Sequence, residues 1–161
     1  EFRRVLFRSL LTKKTTRMSN WTYQGKSIDT LPDHCVGFVY LIVNLANNRC
    51  YVGKELAKFS KIKYKTVKLK NGNKKRKKIK ELVDSDWKTY WSSSIDVQND
   101  VIKFGEDKFT RTILHICESK GDLSYMELRE QVERGVLEDN TYYNGIIQCR
   151  IHKKHLKKPV A

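Results

Sequence analysis

No run of this chain is apolar and long enough to cross a membrane, and no secretory signal pattern is present. It has neither a P-loop nor a dinucleotide-binding glycine fingerprint. Nothing in it resembles a serine or cysteine nucleophile triad. The four cysteines, Cys35, Cys50, Cys117 and Cys149, lie far apart, and none forms a Cys-x-x-Cys pair. Cys50 and Cys117 fall inside apolar, strand-like runs, so buried free thiols are expected, and a reducing cytoplasm suits them. Cys149-x-x-His152-x-x-His155 offers three zinc ligands within a basic tail, too few for a closed site. No internal repeat is visible.

What the chain has in excess is positive charge. Lys and Arg number 33 against 18 Asp and Glu, a formal net charge of +15. That excess implies a polyanionic partner, with nucleic acid first and an acidic membrane surface a distant second. A chain of 161 residues is expected to be one domain with a real core. Residues 1–9, EFRRVLFRS, look like a translated sequencing adapter, and residues 10–17 like upstream read-through. Met18 is then the expected natural start; the alternative is a genuine basic arm. Without residues 1–17 the charge is still +10.

Two short apolar runs carry a tyrosine each: Gly37 to Asn44 and Arg49 to Lys54. Leu45-Ala46-Asn47-Asn48 lies between them. β-Branched and aromatic residues flanking turn-forming asparagines predict two antiparallel strands joined by a tight hairpin. Residues 18–35 read as a lead-in. Residues 56–80 hold twelve Lys/Arg and no acid. A disordered tract is one reading. The alternation in Lys61-Ile62-Lys63-Tyr64-Lys65 and the Asn71-Gly72 pair favour a solvent-facing basic hairpin or long loop, laid along phosphates. Asp96 to Phe104 carries a helical stripe (Val97, Val101, Ile102, Phe104), and Gly105 fits its end. The preceding Ser92-Ser93-Ser94 suggests a loop near a phosphate or a helix cap. Phe109 to Cys117 alternates into a third strand. Ser124 to Leu137 predicts a second helix, with Ser124 and Glu127 as a capping box. Tyr142-Tyr143-Asn144-Gly145 breaks it, and residues 146–161 form a basic tail.

Phe38-Val39-Tyr40 and Tyr51-Val52-Gly53 resemble the two triplets of the GIY-YIG nuclease superfamily, with Phe for Gly in the first and Val for Ile in the second. Asn44 after the first strand fits the same pattern. The resemblance runs from Val36 to about Gly145. It is closest to the phage-encoded, Seg-like homing endonuclease branch. Lys54 after the second triplet, the stretch Trp87 to Ser94 after a basic insertion, the Lys120-Gly121 turn and a Glu-bearing helix all match that branch. The resemblance implies a small α/β (α+β) domain spanning residues 36–145, a three-stranded antiparallel sheet flanked by helices.

It also implies an activity: metal-dependent hydrolysis of DNA by a phage homing-type endonuclease. Such hydrolysis must activate a water, neutralise the phosphate, stabilise the leaving oxygen and hold the bond in line. A carboxylate is the usual anchor for Mg²⁺. By resemblance, Glu127 is the ligand of a single Mg²⁺ or Mn²⁺, with Glu130 as runner-up. A capping-box carboxylate is the alternative for Glu127. Tyr40 resembles the general base or water-orienting tyrosine, and Tyr51 the second active-site tyrosine. Core aromatics whose hydroxyls reach the edge are the alternative for both. Asn144 resembles the bracing asparagine, and a turn residue is its alternative. The family's phosphate-clamping arginine has no match soon after Tyr51. Arg76 is the only arginine in that region, Arg111 is the next, and Lys54 is a candidate substitute. Lys61, Lys63, Lys65, Lys74, Lys75, Lys77 and Lys78 are the expected nucleic-acid contacts. DNA is the expected partner, with no membrane and no small-molecule cofactor. The other class open to this sequence is a non-catalytic nucleic-acid-binding protein on the same scaffold.

Overall fold

In the computed structural model, residues 21–68, 70 and 72–156 are described. The segment read as non-native, the Met18 start, Asn71 of the expected turn and the end of the tail lie outside the described residues. The order is β1 (Trp21–Tyr23), β2 (Lys26–Ser27), β3 (Gly37–Asn44), β4 (Arg49–Leu56), β5 (Lys58–Lys68), β6 (Lys74–Asp84), α1 (Ile95–Phe104), β7 (Phe109–Cys117) and α2 (Lys120–Glu133), with short 3-10 turns between.

The two tyrosine-bearing runs are the antiparallel hairpin β3–β4, with Tyr40 opposite Gly53 and Ile42 opposite Tyr51. β7 pairs antiparallel with the other side of β3. These are the three antiparallel strands expected, but the sheet is larger. It has five strands in the order β2-β1-β7-β3-β4, and β1 runs parallel to β7. The reason is Trp21. Its ring is fully buried, packs edge-on against Phe38 and Tyr40 at 5.3 and 5.4 Å, and donates Nε1–H to the Trp87 carbonyl at 2.9 Å. A three-residue strand has no periodicity to read. Burial of one large side chain recruits it instead.

Alternation sorts the side chains of β3 onto two faces. Phe38, Tyr40 and Ile42 join Trp21, Trp87, Tyr90, Trp91, Val97 and Val101 in one cluster, beneath α1 and the segment before it. Val39 and Val52 join Cys117, Leu123 and Val136 in the other, beneath α2. Arg111 of β7 is buried on the aromatic side. Its guanidinium lies 4.1 Å from the Trp91 ring centre and 4.8 Å from that of Trp21, and donates to the carbonyls of Lys88 and Tyr90. It ties the segment after the basic insertion onto the sheet. Burial lowers its pKa to about 10.

The first helix forms where expected. Ser94 caps it by accepting the Val97 N–H, and it stops at Gly105. The second starts earlier than expected, at Lys120. Ser119 is the cap, accepting the Asp122 N–H at 3.0 Å, so Lys120-Gly121 is the first helical turn and not a loop. Ser124 and Glu127 are therefore interior residues with no capping role. The early start seats Leu123 on Val39 and Val52. The apolar Val132 and Leu137 stay 61% and 54% exposed, while Gln131 is buried. The basic insertion folds as the ribbon β5–β6, eleven residues a strand, separate from the main sheet.

Candidate active site

β4 is the last strand of the sheet, and its outer edge is closed by the chain after α2. The Cys50 N–H donates to Thr141 and the Tyr143 N–H to Cys50. Asn144 completes this edge with its side chain. Its Oδ1 accepts the Val52 N–H at 3.0 Å, and its Nδ2 donates to the Val52 carbonyl at 2.8 Å. Gln131 Nε2 donates to the same carbonyl. Asn144 is thus a substitute strand partner, which satisfies both polar groups of one edge peptide.

At this edge the two faces of β4 meet in an open cleft of about 420 Å³. Tyr51 and Ser93 enter it from the aromatic side, Lys54 and Glu127 from the α2 side, with Tyr143 and Asn144 along the rim. Lys54 Nζ lies 2.7 Å from Glu127 Oε2 and donates to Ser124 Oγ at 3.1 Å. Tyr51 Oη and Ser93 Oγ lie 3.4 Å apart. Burial raises the Tyr51 pKa, and the Glu127 charge adds to it against the Ser93 hydrogen bond. Ser93 follows a strained residue. Its neighbour Ser92 is buried with φ +103°, a value rare for serine, and is held by Ser94 N–H to Ser92 Oγ and Gln98 Nε2 to its carbonyl.

The residues expected at the site are only partly brought together. Tyr51, Lys54, Glu127 and Asn144 share the cleft wall. Tyr40 is not among the residues lining it. Its ring lies one layer inward, 1% exposed and 6.2 Å from the Tyr51 ring centre. Burial pushes its phenol well above the ordinary value, and Tyr90, Tyr51 and Glu55 push it further. In this geometry Tyr40 is a neutral hydroxyl that supports Tyr51. Gly53 makes their packing possible: a Cβ there would stand 2.7 Å from both Tyr40 Oη and Tyr51 Cε1. Arg76 lies on the ribbon, opposite Thr66 and over the Tyr64 ring, and does not line the cleft. Arg111 is in the core. Lys54 is the cation the structure supplies beside Glu127. The seven expected nucleic-acid lysines all lie on the ribbon, exposed.

Glu130, the alternative to Glu127, is held on both oxygens by its neighbours and does not line the cleft. His115 Nε2 lies 2.6 Å from one oxygen and Arg134 Nε 2.8 Å from the other. Burial raises its pKa, but these two partners outweigh it and hold the carboxyl below its usual range. Ser93 belongs to the serine triplet expected near a phosphate or a helix cap, while Gln131 is not foreseen in the sequence. Gln131 lies one turn beyond Glu127 on α2, the one signal that points to it.

The donors at the cleft are hard oxygens: the Glu127 carboxylate and the Tyr51 and Ser93 hydroxyls. Among the described residues no group of three or more His, Cys, Asp or Glu forms a metal cluster. One carboxylate fits Mg²⁺ or Mn²⁺, which keep several waters and borrow phosphate oxygens, and does not fit a closed zinc site.

The buried phenols set the alkaline behaviour. Folded Tyr40 and Tyr51 ionise later than unfolded tyrosine, so their contribution to stability is complete below about pH 10 and declines as pH rises further. Tyrosinate absorbance of the native chain is expected to lag that of the denatured chain. Tyr40→Phe is expected to remove the slowest component. A native titration matching the denatured one would contradict this packing.

The family model described as "Putative endonuclease segE, GIY-YIG domain" matches residues 21–147. That span opens on Trp21, the first residue of β1. No curated protein and no solved structure matches the chain.

Proposed function

Since the chain belongs to the GIY-YIG endonuclease family in its SegE branch, we propose that it hydrolyses DNA phosphodiester bonds with a divalent metal, as a phage homing-type nuclease. The observation that carries this reading is the convergence of Glu127, Lys54 and Tyr51 on one open cleft from opposite faces of an edge strand. Glu127 would hold Mg²⁺ or Mn²⁺, which supplies charge neutralisation at the phosphate and at the leaving oxygen.

The chain's own groups do the rest. Lys54 is a mobile point charge paired to Glu127 in the absence of substrate, and an arriving phosphate competes for it. Its release frees Glu127 Oε2. Tyr51 is a neutral phenol at physiological pH, so it donates a hydrogen bond to a phosphate oxygen or to the attacking water. Ser93 takes up the other side of that hydroxyl. Asn144 and Gln131 fix the Val52 peptide, and with it the spacing of Tyr51 and Lys54.

The test is plasmid cleavage by the full chain with Mg²⁺ or Mn²⁺, against EDTA. Nicking or cutting that EDTA abolishes supports the proposal. Salt-sensitive binding with no cleavage on several DNA forms would overturn it in favour of a binding protein on the same scaffold.

A further inference from the structure

The ribbon β5–β6 grows directly from the strand that carries the site. One buried residue, Ala57, separates β4 from β5. Its N–H donates to the Val36 carbonyl, and its own carbonyl accepts the Ser85 N–H, which pins both strands at their base. Beyond that base, residues 60–68 and 74–82 are exposed throughout. Exposed apolar side chains include Ile62, Tyr64 and Leu82.

Register and alternation divide the ribbon into two faces that differ chemically. One carries Lys61, Lys63, Lys65 and Val67 opposite Glu81, Ile79, Lys77 and Lys75. Its cations are all lysines. The other carries Ile62, Tyr64 and Thr66 opposite Lys80, Lys78 and Arg76. It is set apart by Tyr64, by the Thr66 hydroxyl and by the ribbon's one arginine, which sits 5.3 Å from the Tyr64 ring centre. Lys65 faces Lys77, and Lys68 faces Lys74, directly across the ribbon. Such like-charge pairs destabilise a two-stranded sheet that is marginal on its own. Lys63 pairs with Glu81, which relieves little of this repulsion. A polyanion would relieve it.

Positive charge on both faces decides between polyanions. A flat acidic surface such as a membrane would meet one face only. A single strand would favour a row of stacking aromatics, and the ribbon has only Tyr64 and, at its base, Phe59. A duplex groove has phosphate walls on both sides. The B-DNA major groove admits a two-stranded β-ribbon, whereas that of an RNA duplex is too deep and narrow. Eleven residues span about 36 Å, close to one duplex turn.

We propose that the β5–β6 ribbon lies in the major groove of duplex DNA, with the Ile62–Tyr64–Arg76 face toward base edges and the Lys61–Lys63–Lys65 face toward the phosphate walls. The choice of DNA rests on the endonuclease reading. Because the ribbon continues β4, the base pairs it reads fix where the backbone meets Glu127.

The test uses the full chain in EDTA with a random-sequence duplex, its single strand and dimethyl sulfate footprinting. Protection of guanine N7, in the major groove, is expected over about one turn, with weaker binding of the single strand. Changing Lys61, Lys63 and Lys65 together to Gln is expected to weaken duplex binding about 10-fold on every sequence and to flatten the salt slope by roughly 3. Arg76→Ala is expected to leave that slope nearly unchanged and to relax base preference at one position about 10-fold in a selected pool. Adenine N3 protection with reactive guanine N7, equal affinity for the single strand, or parental binding by the triple variant would each overturn the proposal. A chain that protects guanine N7 yet never cuts with Mg²⁺ or Mn²⁺ leaves the ribbon standing and removes the nuclease reading. Cutting combined with parental binding by the triple variant removes only the ribbon.

Discussion

Glu127→Gln is expected to lower plasmid cleavage by about 10³-fold or more while duplex binding in EDTA persists. The substitution keeps the shape of the side chain and removes its charge, and with it the hard anionic ligand for the metal. A bound metal supplies several kcal/mol to the transition state, and each ~1.4 kcal/mol is tenfold in rate. Folding should change little, because the Lys54 left behind is 34% exposed at its side chain and can turn to water. Thermal unfolding and single-turnover cleavage with Mg²⁺ or Mn²⁺ would be measured side by side. Retained cleavage would remove Glu127 from the chemistry, and Glu130 could not replace it without first losing His115 and Arg134. A lost rate together with lost folding would show a structural role instead.

Gly53→Ala is expected to damage the site and the core together. The added Cβ would stand 2.7 Å from Tyr40 Oη, 2.7 Å from Tyr51 Cε1 and 2.9 Å from Tyr40 Cζ. Tyr40 cannot retreat: it is 1% exposed and wedged edge-on against Trp21 at 5.4 Å and Tyr90 at 6.2 Å. Overpacking of this kind costs about 1–3 kcal/mol. For a domain of this size that lowers Tm by roughly 2–12 °C. Tyr51 has the freer path, toward the cleft, so it should absorb much of the shift. A displacement near 1 Å at a positioned group costs on the order of 10²-fold in rate. Unchanged Tm and unchanged cleavage in this variant would mean the two rings are not packed as described.

These two variants separate what was readable in the chain from what was not. The second triplet ends in glycine, and the pairing of Tyr40 with Gly53 shows why: only a residue without a side chain fits between two tyrosines on adjacent strands. The hairpin, the third strand, the first helix and its serine cap were legible because each rests on a local rule. Such rules are alternation, helical spacing, or a hydroxyl before a helical run. The basic ribbon was legible for the same reason, since its alternation survives in an acid-free segment.

The errors share a cause too. Ser124 and Glu127 fit a capping box, so the local pattern predicts a second helix that starts at Ser124. Ser119 caps the helix five residues earlier by accepting the Asp122 N–H, and burial of Leu123 beneath the sheet favours the longer helix. That choice turned Glu127 from a cap into an interior residue facing the edge of β4. Arg76 matched a family role by its place in the chain, but an antiparallel ribbon carries it outward with Thr66. Trp21 gave no strand signal, yet it adds a parallel strand.

Charge, the strand pair, the α+β character and a short set of candidate side chains follow from the chain's local patterns, because composition and short-range periodicity are local properties. Which of those side chains share a cleft depends on how the elements pack. Packing seated α2 on the sheet through Leu123, which turns Glu127 toward Lys54 and Glu130 toward His115 and Arg134. It sank Tyr40 behind Tyr51 by closing an aromatic layer over β3. Residues far apart in the chain meet only once both faces of the sheet are covered, and the rotation of each covering element is set by packing that no local pattern encodes.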